Sequence, residues 1–211
     1  MQSGISSAYF IDNYFSLIYI SAMKTKRALD EIAEEIKKCS VCKEGKTGVA
    51  VPGEGNPDAD IVFIGEAPGK KEAVEGRPFI GRSGQLLRSL IREIGFDDER
   101  DVYITSPVKY LPLRGTPTPQ DIAHGRTHLM KQLAVIRPKF IVLLGRVAAE
   151  GVLQQKVAVV KERGSVIVEK DGIKYFLTYH PAAALRFPVK FKPRLREDFT
   201  KVGKMIASIT R

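Results

Sequence analysis

Two stretches of the chain are apolar without a break, IVFIG at residues 61–65 and FIVLLG at 140–145. Each has the length and composition of a strand covered on both faces. A further strand is expected in DVYITSPV, 101–108, and a hairpin in SVIVEKDGIKYFLTYHP, 165–181, turning at Asp171-Gly172, a pair suited to a tight two-residue turn. Between the strands the period becomes helical. KTKRALDEIAEEIKK, 24–38, places Leu29, Ile32, Ala33 and Ile36 on one face. SGQLLRSLIREIG, 83–95, is bounded by Ser83 and Gly95. Three more helices are expected over 121–136, 146–153 and 192–209. The glycine-rich segment 39–60 and the proline-rich segment 111–120 read as loops. Strands alternating with helices imply an α/β fold with a parallel sheet covered on both faces. In such a sheet the functional site lies beyond the carboxyl ends of the strands.

The 211 residues suffice for one well-packed core and are few for two. Lys+Arg 34 against Asp+Glu 24 leaves a net charge of +10, which favours a polyanionic partner over a merely solvated basic surface. The two cysteines, Cys39 and Cys42, exclude a disulfide framework. No apolar run approaches the ~20 residues that span a bilayer. The N-terminal apolar stretch has no basic residue before it and is interrupted by Asp12 and Asn13, unlike a signal peptide. An amphipathic helix opens at Met23. Residues 1–22 are therefore expected to be an extension, flexible or the product of a mis-assigned start, ahead of a single domain over 23–211. A cytoplasmic monomer is expected.

Three segments fall at strand ends: GEAPG after the first strand, SPVKY after the second, YHP after the last. GEAPG is followed by no Gly-Lys-Ser/Thr and is not G-x-G-x-x-G, so it is no nucleotide fingerprint. It offers the carboxylate of Glu66, then a tight turn through Ala67, Pro68 and Gly69, with Glu72 beyond. GRPFIG presents Phe79 as a stacking platform. YHP supplies His180, one of three histidines, beside the apolar-basic loop AAALRFP. A carboxylate, a stacking ring, a lone imidazole and a basic protein are what gripping an extruded base requires. Singly, each has a plainer reading: a cap partner, a core ring, a satisfied loop histidine.

GEGNPDADIVFIGEAPG, EGRPFIGRSGQLL, VYITSPVKY, IVLLG and HPAA, in that order from about Cys39 to Ala184, resemble the family-4 uracil-DNA glycosylases. The resemblance implies a three-layer α/β/α sandwich with a central, mostly parallel four-stranded sheet, and a role in base-excision repair. It implies that Glu66 positions or activates water, that Glu72 is a second pocket carboxylate, that Phe79 stacks on the flipped base, and that His180 stabilises the departing base. Gly65, Ala67, Pro68, Gly69 and Ser106 would complete the base pocket. Pro181, Ala182, Ala183, Leu185 and Arg186 would wedge into the duplex, and Lys190, Lys192 and Arg194 would meet phosphates. The expected partner is DNA carrying deaminated bases. The expected reaction is hydrolysis of the N-glycosidic bond by water, without strand cleavage.

Two departures from the family matter. It carries four cysteines on a [4Fe–4S] cluster, of which Cys39 and Cys42 match the first pair. Tyr110 and Gly125 stand at the third and fourth positions. Two thiolates rarely hold such a cluster, so a metal-free loop tied by packing is expected. The alternative is a Cys2His2 site, with His124 and His128 on one helix face, taking zinc or a two-iron cluster. Secondly, Ser106 replaces the asparagine that reads uracil, which removes bidentate recognition. Uracil remains the first expectation. Hypoxanthine or xanthine excision, and a non-catalytic module for damaged or single-stranded DNA, are the alternatives; a small-nucleotide hydrolase is disfavoured.

Overall fold

The computed structural model describes residues 7–208, with side chains from residue 22 onward. In chain order the elements are α1 (Ser7–Lys38), α2 (Ser40–Lys43), β1 (Lys46–Thr47), β2 (Glu54–Gly55), β3 (Ile61–Ile64), α3 (Lys70–Glu75), α4 (Arg82–Glu93), β4 (Val102–Thr105) and β5 (Leu111–Pro112). They continue with α5 (Pro119–Ile136), β6 (Phe140–Leu144), α6 (Arg146–Leu153), α7 (Val159–Glu162), β7 (Ser165–Lys170), β8 (Ile173–Thr178), α8 (Pro181–Arg186) and α9 (Pro188–Ala207).

The main sheet runs β2-β4-β3-β6-β8-β7. Its four central strands are parallel, as expected, and two antiparallel edges widen it to six. β7 is the first arm of the expected hairpin, whose turn carries positive φ at both Asp171 and Gly172. β2 has only two residues, too few for any periodicity to show. A side chain at Gly55 would lie 2.1 Å from the Val102 carbonyl oxygen, so this edge pairs only because glycine stands there.

Successive side chains of a strand point to opposite faces, and here both faces are buried. Val62, Ile64, Ile141 and Leu143 join Leu29 and Ile36 of α1, Leu129 and Leu133 of α5, and Ala148 of α6 in one core. Ile61, Phe63, Val142 and Leu144 join Leu87 and Ile91 of α4 and Leu195, Phe199 and Val202 of α9 in the other. That is the three-layer sandwich.

Several boundaries differ from the sequence reading: α5 and α9 begin earlier, at Pro119 and Pro188, and the expected loops 39–60 and 111–120 hold α2, β1, β2 and β5. The first helix is continuous through Met23 from Ser7, so the expected extension over 1–22 is helical from residue 7; residues 1–6 lie outside the described residues. α4 is capped by Gly81 rather than opened at Ser83. AAALRFP is not a loop: its first residues form α8, because Pro181 occupies the first turn and the His180 ring accepts the Ala182 amide as a cap. Among the described residues no helix is long and apolar enough to cross a membrane.

Candidate active site

The register aligns the strand ends. Ile64 pairs with Thr105 and with Leu143, and Leu144 with Thr178, so the residues that follow meet at one edge of the sheet. A hollow of about 30 Å³ there is lined by Ala67, Pro68, Glu72, Phe79, Ser106 and His180, with Val51, Pro78 and Ser83 completing it. The three strand-end segments therefore share one cavity. It has room for a water. A wider hollow of about 800 Å³ lies between α1 and the segment around β2, but it holds neither a histidine nor any strand-end residue.

Phe79 is held by an unusual loop. Its φ of 52° is left-handed, a costly conformation for a bulky residue unless its surroundings over-determine it. They do so from both sides. The Glu72 Oε1 accepts the backbone amides of Ile80 at 3.0 Å and Gly81 at 2.9 Å. Arg88 of α4 donates from Nε to the Phe79 carbonyl at 3.1 Å and from Nη2 to the Pro78 carbonyl at 3.1 Å. Arg88 is itself anchored by Asp98 at 2.9 Å and by Glu54. A side chain at Gly84 would sit 2.0 Å from the Phe79 carbonyl, so the loop packs directly on the helix backbone. Glu72, which also lines the hollow, is thus bound through Oε1 to the main chain of the Phe79 loop. The Phe79 ring rests against Gly65, where an added Cβ would meet it at 2.5 Å. The ring is mostly buried, with one part packed on Gly65 and another lining the hollow.

His180 faces Phe79 with ring centroids 5.8 Å apart and planes at 35°. Its Nδ1 accepts the Ala182 amide at 3.1 Å, so the neutral ring carries its proton on Nε2. Burial pushes the imidazole down to about 4. The chain behind it is firmly placed: Thr178 Oγ1 donates to the buried Asp198 of α9 at 2.6 Å, which also pairs with Arg163.

Glu66, half-buried at the tip of β3, does not line the hollow itself but adjoins Ala67, which does. Burial raises its carboxyl above the ordinary glutamate value, and the Arg146 guanidinium partly offsets this. Gly69 caps α3. Ser106 is buried, and its hydroxyl donates to the Val108 carbonyl at 2.8 Å. Its oxygen can accept a further proton but has none left to give.

Beyond the hollow, Pro181 and Ala184 of α8 are buried while Ala182, Leu185 and Arg186 are exposed and Ala183 is intermediate. Phe187, 53% exposed, and Val189, 93% exposed, extend the apolar tip. The Arg186 guanidinium lies over the Phe187 ring, and Lys190, Lys192 and Arg194 of α9 are exposed beside it. Sequence reasoning passed over Phe187 and Val189, although RFPV in a basic segment is a visible signal. It also passed over Arg88, for which no local signal exists.

Cys39, Cys42, His124 and His128, distant in sequence, offer ligand atoms all within 4.8 Å of one another. The fold thus brings the C-x-x-C and H-x-x-x-H segments together. This grouping does not fit a four-iron cluster. The Tyr110 hydroxyl donates toward the Ile36 and Lys37 carbonyls instead of presenting a thiolate. A side chain at Gly125 would lie 2.1 Å from the Pro107 carbonyl oxygen, so a cysteine has no space there.

Comparison with known proteins adds a family. The description Uracil DNA glycosylase superfamily matches residues 52–202. The type-4 uracil-DNA glycosylase of Archaeoglobus fulgidus is 40% identical over 191 residues, covering 84% of this chain and 93% of that protein. The Saccharolobus solfataricus type-4 enzyme is 41% identical over 189 residues, 85% of this chain and 87% of that one. The Thermotoga maritima type-4 enzyme is 44% identical over 169 residues, 78% and 87% respectively.

Proposed function

The chain belongs to the uracil-DNA glycosylase superfamily, and from that premise we propose that it hydrolyses the N-glycosidic bond of a flipped-out uracil in DNA. The observation that carries this reading is the His180 ring, held neutral with Nε2–H free, facing Phe79 across a shared hollow. Relatives at about this distance bear the name type-4 uracil-DNA glycosylase, which supports the same activity.

The base slides against Phe79 as the hollow opens. Scission of the C1′–N1 bond sends its electron pair into the base, where Nε2–H of His180 donates to the oxygen on which charge gathers. The sugar acquires oxocarbenium character. Glu66 takes a proton from water as the water oxygen bonds to C1′. Glu72 and Arg88 act by fixing the Phe79 loop. Leu185 and Phe187 fill the gap left in the duplex, and Lys190, Lys192 and Arg194 neutralise phosphates.

Ser106 accepts from the uracil N3–H but has no donor for O4, so discrimination rests on main-chain groups and on the shape of the hollow. The test is a panel of oligonucleotides carrying uracil, hypoxanthine or xanthine, treated with alkali after incubation. Breaks at uracil support the reading. Breaks only at a purine move the substrate, and binding without breaks on any of them identifies a non-catalytic DNA-binding module.

A further inference from the structure

We infer that Cys39, Cys42, His124 and His128 form a structural site for one zinc ion, separate from the base pocket and assembled in place of the family's iron–sulfur ligands. Zinc binds thiolate at about 2.3 Å and imidazole at about 2.0–2.1 Å, which puts the corners of its tetrahedron roughly 3.3–3.8 Å apart. The four donor atoms already lie within 4.8 Å of one another. A two-iron or four-iron cluster spreads its ligands over separate metal atoms and needs wider spacing. Two thiolates with two imidazoles are also a donor set that suits zinc.

Several independent contacts prepare the site. The Cys39 Sγ accepts the Cys42 amide at 3.4 Å, which turns the C-x-x-C segment around the sulfur, and lies 3.1 Å from His124 Nε2. His128 is 3% exposed, yet its Nε2 has no hydrogen-bond partner. A buried imidazole left so is costly unless something is bound to it. Its Nδ1 lies 3.4 Å from the Glu35 carboxylate, the outer partner that commonly orients a metal-bound histidine, and this leaves Nε2 for the ion. Glu35 is in turn held by Lys131 at 2.5 Å.

With four protein ligands the site has no open position, so its work is to tie α2 to α5. That matters for the pocket. Gly125, between the two histidines, lies directly on Pro107, whose neighbour Ser106 lines the hollow.

The test is metal and sulfide analysis of the full chain purified with and without oxygen, from medium containing both zinc and iron. One zinc per chain, with no stoichiometric iron or sulfide, is the expected result. Cobalt added to the chelator-treated protein should give the visible bands of a tetrahedral thiolate–imidazole site, and zinc should displace it. Cys42→Ser and His128→Ala should abolish those bands. Glu35→Gln should weaken zinc affinity about tenfold while leaving one ion per chain. If the ligand variants do not fold, the cobalt titration of the unaltered chain decides. Protein that carries no metal and gives no cobalt spectrum overturns the inference, as does iron with sulfide in stoichiometric amount. None of these readouts depends on glycosylase activity, so the two proposals fail separately.

Discussion

Phe79 and His180 are 101 residues apart in the chain and face each other with ring centroids 5.8 Å apart, one set by a left-handed backbone and the other by its own cap to α8. His180→Ala keeps the platform and removes the donor. The turnover of uracil-containing DNA is expected to fall by about 10²–10³ in kcat, with affinity for the substrate nearly unchanged, read by single-turnover kinetics and equilibrium binding. A parallel fall in rate and affinity would make His180 a binding residue.

Glu66→Gln is expected to lower kcat by about 10²–10⁴, the usual scale for a general base. The pH profile separates this from a packing effect. A base works deprotonated, and burial raises the Glu66 carboxyl above its ordinary 4.5, so the acid limb lies at higher pH than for a free glutamate. His180, pushed down to about 4, stays neutral through that limb. The limb should vanish in the glutamine variant; its persistence would assign it elsewhere.

Glu72→Ala leaves the Ile80 and Gly81 amides without their acceptor, at about 1–3 kcal/mol for each unsatisfied group. Thermal denaturation should show the loss, and KM for the uracil substrate should rise as Phe79 loses its register. Glu72→Gln keeps an acceptor oxygen and should retain most of the stability. A variant that is stable but loses kcat alone would restore a chemical role to this carboxylate.

Ser106→Asn introduces a donor that the present hydroxyl, committed to Val108, does not have. Activity on uracil should rise, together with the preference for uracil over hypoxanthine, in competition assays on paired oligonucleotides. Absence of any gain would mean that the turn backed by Gly125 holds position 106 away from the base edge.

Lys190→Ala with Lys192→Ala should weaken binding to all duplexes alike and reduce the slope of log K against log salt by about 2, roughly one for each phosphate no longer neutralised. Titrations at several salt concentrations measure it. An unchanged slope would place the DNA on another face.

Strands β3 and β6 could be read directly from the chain because a strand buried on both faces must be apolar throughout, and the alternation of elements then dictated a parallel sheet with its chemistry at the carboxyl ends. Those are local or near-local constraints. The edge strand β2 escaped, since two residues carry no period and its pairing depends on Gly55 reaching Val102. So did Arg88, whose function is to hold carbonyls that only the folded loop delivers. The contacts of Glu72 with the Ile80 and Gly81 amides likewise exist only once the chain has closed. Cys39 and His124 show the division most plainly. C-x-x-C and H-x-x-x-H are visible in one dimension, but packing of α5 against α2 is what brings a sulfur and a nitrogen from the two motifs to 3.1 Å. Spacing along a chain restricts which side chains share a face; distances between faces are settled by the packing of the whole core.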